Sequence, residues 1–92
     1  MDARDFTDIL RAEGFTEVLD HDLPAGKPVP EHSHPFDAKL LITGGAFTVT
    51  RDGRPTAYGP GDVLSVPAGQ RHAELAGPEG ARFIAGRRHY PA

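Results

Sequence analysis

Two imidazoles one residue apart, His32 and His34, stand in a proline-flanked segment, Lys27-Pro28-Val29-Pro30-Glu31-His32-Ser33-His34-Pro35, that reads as extended. On a strand, residues i and i+2 share a face with Cα atoms ~7 Å apart, so two side chains of this length can converge on one ion. The chain has no cysteine. A metal held here therefore takes nitrogen and oxygen ligands, a donor set suited to iron, zinc, nickel or manganese. His32 and His34 open a site for one divalent transition metal, and other parts of the chain must complete it.

The elements that could position such a site are short. Phe6, Ile9 and Leu10 recur at helical spacing behind Asp2, a suitable N-cap, and Gly14 stands where a left-handed C′ residue would, with Phe15 as C″ and Leu10 as C3. The spacing predicts one amphipathic helix over residues 3–13. After Thr16 the pattern changes to short β segments at 16–23, 29–34, 36–43, 46–51, 54–58, 62–66, 71–75 and 81–87, separated by turn residues. Gly44-Gly45 and the stretch 77–80 read as turns, and Asp52-Gly53 as a two-residue hairpin loop. About eight strands without crossover helices describe an all-β fold, an antiparallel sandwich or small barrel. With 92 residues, one domain spanning 1–92 is expected, with the helix in 1–14 and the barrel in 16–90.

The formal net charge of −3, with both signs scattered, offers no basic stripe for nucleic acid. Arg87-Arg88-His89 reads as the solvated end of the last strand. Met1-Asp2-Ala3-Arg4-Asp5 does not read as a signal-peptide start, and Leu40-Leu41-Ile42 is far short of a membrane span. A soluble cytoplasmic protein without membrane or nucleic-acid partners is the expectation.

A second informative stretch runs from Gly61 to His72: a strand, the Pro67-Ala68-Gly69-Gln70 turn, and a returning strand that begins near His72. Together the two stretches resemble the cupin family. Gly26, His32, His34 and Gly45 stand at the spacing of its first motif, and Gly61, Pro67, Gly69 and His72 at that of its second. The resemblance implies a small jelly-roll β-barrel, commonly a homodimer, in which His32, His34 and His72 bind one divalent metal. Two positions depart from the pattern: the family's metal-binding Glu falls at Ala38 and its Asn at Ala76.

Strand parity puts His32, His34, Phe36, Ala38, Leu40 and Ile42 on the inward face and Asp37 outward, so Asp37 replaces the missing Glu only if the chain bulges near Pro35. Glu74 shares a face with His72 and is the candidate acid or base, its alternative being a solvated carboxylate at the barrel mouth. Phe36, Ala38 and Leu40 are candidate substrate-lining residues, and Arg82 is a candidate for substrate charge. His21 and His89 read as ordinary histidines. Phe36, Leu40, Ile42, Phe47, Val49, Val63, Leu64, Val66, Phe83 and Ile84 are the expected core, and outward Leu41 lends slight support to dimerisation. Two functions follow: a mononuclear three-histidine enzyme acting on a small organic substrate, resembling cupin dioxygenases, or a module that binds a metal or small ligand without turnover.

Overall fold

The computed structural model describes residues 1–90, so the last two positions of the expected 1–92 span lie outside the described residues. Asp2 caps helix α1 (Ala3–Ala12), its Oδ1 accepting from the Asp5 N–H at 2.8 Å. Gly14 sits at φ +84°, the Gly14 N–H donates to Arg11 O, and the Phe15 N–H donates to Leu10 O at 2.8 Å. This is the paired closure of a Schellman ending. It brings Leu10 and Phe15 into one buried cluster with Phe6, Leu41 and Ile84, which fixes the helix on the outer face of the sheet. Leu41 is only 1% exposed. Its outward apolar side chain is covered by the chain's own helix and gives no support to a dimer.

Six strands follow: β1 (Glu17–Leu23), β2 (Pro28–His32), β3 (Phe36–Arg51), β4 (Arg54–Tyr58), β5 (Val63–Val66) and β6 (His72–His89). The hairpin at Asp52-Gly53 has positive φ at both positions, as a two-residue loop of this type requires. The breaks expected at Gly44-Gly45 and at 77–80 are not turns. β3 and β6 run through them, paired antiparallel from Phe36↔His89 to Thr50↔Ala73, with register shifts between Ile42 and Gly44 and between Gly45 and Phe47. Glycine explains why the chain bends here without ending. Gly45 and Gly80 lie at φ +70° and +82°, and a Cβ on Gly45 would overlap the Gly80 carbonyl. Bare backbones can approach this closely, and the bulge sharpens the local twist.

Each bulge also changes which parity faces inward. Phe36, Ala38, Leu40 and Ile42 face in before it, Phe47 and Val49 after it; on β6 the inward set passes from His72, Glu74 and Ala76 to Ala81, Phe83, Ala85 and Arg87. Over one half of this two-stranded ribbon β1 flanks β6 and β5 flanks β3, and over the other half β2 and β4 take those places. The result is a small antiparallel jelly roll with one short helix. Val63, expected in the core, is 39% exposed, because β5 alternates and Leu64 and Val66 take its inner face. Among the described residues no helix is long and apolar enough to cross a membrane.

Candidate metal centre

β2 ends at His32, which pairs directly with His72, the first residue of β6. His34 lies beyond the strand, in the connection to β3, so strand parity is not what aims it. The Gly69 N–H donates to His34 O at 2.9 Å. The turn at 67–70, closed by positive φ at Gly69, thus holds the second imidazole in place. Ring centroids are 4.3 Å apart for His32 and His72, 4.9 Å for His34 and His72, and 5.3 Å for His32 and His34. The three offer ring nitrogens within 4.8 Å of one another.

Two backbone carbonyls set the ring orientations. Pro30 O accepts from His32 Nδ1 at 2.8 Å and Gln70 O from His72 Nδ1 at 2.9 Å. A proton on Nδ1 leaves the lone pair on Nε2, the tautomer a metal ligand needs. The His34 ring is instead stacked on Phe36, centroids 4.4 Å apart and planes 6° from parallel. His34 Nδ1 and His72 Nε2 are buried without a hydrogen-bond partner, and leaving such atoms unsatisfied is costly. The Glu74 Oε2 atom lies 3.6 Å from His72 Nε2. Two acceptors facing each other across that gap are complementary to a shared cation or proton. The donor set therefore fits a divalent ion. Burial, followed by the neighbouring His72 and His32 rings, pushes the His34 pKa below the ordinary histidine value.

The rings open on a cavity of about 270 Å³ whose lining includes Phe36, Ala38, Leu40 and Glu74. Glu74 thus lies inside the cavity, not in solvent at its mouth. Arg82 does not line this cavity: it is exposed and borders a neighbouring depression with Asp20 and Asp22. The cation in the cavity wall is Arg87, with its guanidinium carbon 4.7 Å above the Phe36 ring. Of the three residues read as a solvated strand end, only His89 is exposed. His21 also lines the cavity, stacked on Phe83 at 5.0 Å. Burial, then the Arg87 charge, lowers its pKa, with Glu74 acting in the opposite sense. The alternation Leu19-x-His21-x-Leu23 was the sequence signal for its inward face.

Asp37 points outward and its oxygens are already used. It accepts from the Ala68 N–H at 2.8 Å, from Arg88 Nη2 at 2.9 Å and from the Tyr90 hydroxyl at 2.6 Å. It therefore does not replace the family's acid at Ala38; it ties β3 to the turn that holds His34. The Tyr90, Ala68 and Arg88 hydrogen bonds lower its pKa to about 2. Because the folded value lies below the unfolded one, this stabilisation is complete above about pH 4 and is lost as pH falls towards 2. Asp37→Asn is expected to lower the Tm at neutral pH and to flatten its decline over that window, as read by scanning calorimetry.

A family model described as "Cupin domain" matches residues 20–87 of the chain. No curated protein matches it. Among solved structures, a protein of unknown function from Rhizobium leguminosarum aligns with a TM-score of 0.74 at 19% identity, over 79% of this chain and 69% of that one. KdgF from a Halomonas species aligns at 0.67 and 21%, over 79% and 68%. A cupin protein from Bacteroides fragilis aligns at 0.66 and 26%, over 82% and 66%.

Proposed function

Because the chain belongs to the cupin domain family, we propose that it is a metal-binding cupin in which His32, His34 and His72 hold one divalent transition metal beside a small-substrate cavity. The observation that carries this reading is the pair of carbonyl-anchored imidazoles at His32 and His72, with His72 Nε2 unpartnered beside Glu74. Ala38 leaves the wall without the family's acid, so three neutral imidazoles would hold the ion, with Glu74 as the nearby carboxylate and positions open to ligand. What a bound divalent ion supplies is Lewis acidity or, as iron, redox chemistry with dioxygen. The chain's own residues shape and exclude: Phe36, Ala38 and Leu40 give an apolar wall, and the Glu74 carboxylate stands next to His72 Nε2. We read the chain as one catalytic unit, dioxygenase-like in its donor set. A cytoplasmic location and a homodimer belong to the same reading.

Elemental analysis of protein purified without an affinity tag tests it, with about one transition-metal equivalent per chain expected. Unchanged metal content in a His32→Ala, His34→Ala double variant would end the assignment. Oxygen or substrate consumption across a panel of small organic acids and enols separates enzyme from module, since tight binding without turnover belongs to the module. Glu74→Gln is expected to weaken zinc binding by roughly 10-fold, because it removes a negative charge on the metal side of His72. Competition with a chromogenic chelator reads this, and an unchanged affinity would make Glu74 a spectator.

A further inference from the structure

We propose that Arg87 makes the cavity selective for small carboxylates that carry a second donor on the adjacent carbon, a hydroxy or keto acid whose carboxylate meets the guanidinium. The coordination of the second donor rests on the metal reading above; the carboxylate contact does not. In the β3–β6 register Arg87 is the direct partner of Ala38, the position at which the family pattern has its acid. This cross-strand pair carries a positive charge and no negative one, so this part of the wall suits an anion. A carboxylate missing from the protein is then supplied by the ligand.

Arg87 is placed for this role. It faces inward on β6, with its guanidinium carbon over the Phe36 ring. Its ion pair, Nη1 to Glu17 Oε1 at 3.2 Å, joins two partly exposed side chains, 32% and 44%. Such a solvated pair is worth little and yields readily to a better-desolvated anion. A planar guanidinium can grip a carboxylate through two parallel hydrogen bonds. The cavity of about 270 Å³ admits only a small acid, and Phe36 and Leu40 suit an apolar remainder.

Calorimetric titration of glycolate and of its neutral amide, glycolamide, into zinc-loaded and metal-free protein tests the assignment. Arg87→Gln is expected to weaken glycolate binding roughly 10- to 100-fold, the range for a lost charge-assisted contact, with zinc and glycolamide affinities unchanged. Ala38→Glu should weaken glycolate similarly, by pairing Arg87 from the opposite strand, and should tighten zinc. Glycolate affinity in Arg87→Gln within about twofold of wild type in both forms, or equal binding of glycolamide, overturns the proposal. A wild-type chain that takes up no zinc yet binds glycolate through Arg87 refutes the metal reading and leaves the carboxylate site supported.

Discussion

His72→Ala is expected to lower divalent-metal affinity by more than about 100-fold, because it removes a ligand itself, where loss of an outer partner alone costs about 10–100-fold. The ring is 1% exposed, so the substitution also leaves a cavity and lowers metal-free stability. The two effects separate in one experiment. Zinc at about 100 times its Kd should raise the stability of the wild type by about 2.7 kcal/mol; the variant should show almost none of that gain whatever its starting stability. A variant that is destabilised without metal and still gains the same increment from zinc would remove His72 from the site. His34→Gln, at a half-buried position outside the strands, gives the same test with less damage to the core.

The same titration has a pH dependence whose sign follows from His34. Its folded pKa lies below the ordinary histidine value, chiefly through burial. The folded state resists the proton, so the metal-free fold is penalised as pH falls below about 6.5, where an unfolded histidine charges. Bound metal keeps the ring neutral, and the zinc-dependent gain then shrinks on acidification as protons compete for the nitrogens.

How much of this was legible beforehand varies by residue. The helix end at Gly14 and Phe15 was readable because a Schellman closure is local, set by residues within one turn. His32 and His34 could be named from their spacing and His72 from the resemblance to the cupin motifs, but the means of aiming them could not. His34 is held by a hydrogen bond to Gly69, and Arg87 enters the cavity through its register with Ala38, both contacts between residues far apart in sequence. The misreading at Gly44-Gly45 has a different cause. A glycine pair and a change of inward parity from Ile42 to Phe47 are compatible with a turn or with a bulge. Only the partner strand decides, since 77–80 makes the matching parity change and Gly45 pairs with Ala81. Local reading treated as two breaks what is one bend shared by two strands.

That bend makes Gly45→Ala the substitution with the largest expected cost to the fold. Gly26 provides the comparison. Both glycines occupy the first motif and both have nearly the same backbone, φ +68° at Gly26 and +70° at Gly45. Alanine at Gly26 meets nothing within 4 Å, so its cost is the left-handed backbone alone, about 1–2 kcal/mol. Alanine at Gly45 adds an overlap with the Gly80 carbonyl, and Gly80 has little room to retreat, because the space a Cβ would take there is already occupied by Leu23 O. Relief requires β6 to separate from β3 or from β1. The expected loss exceeds about 4 kcal/mol, a large part of the total stability of a domain this size. Urea unfolding of the two variants measures the difference, and equal midpoints would mean that the bend is not the tight crossing described. Because the parity of Glu74 and of Arg87 is set on opposite sides of this bend, a Gly45→Ala chain that does fold should also lose the convergence of those two side chains on one cavity, read as loss of glycolate binding.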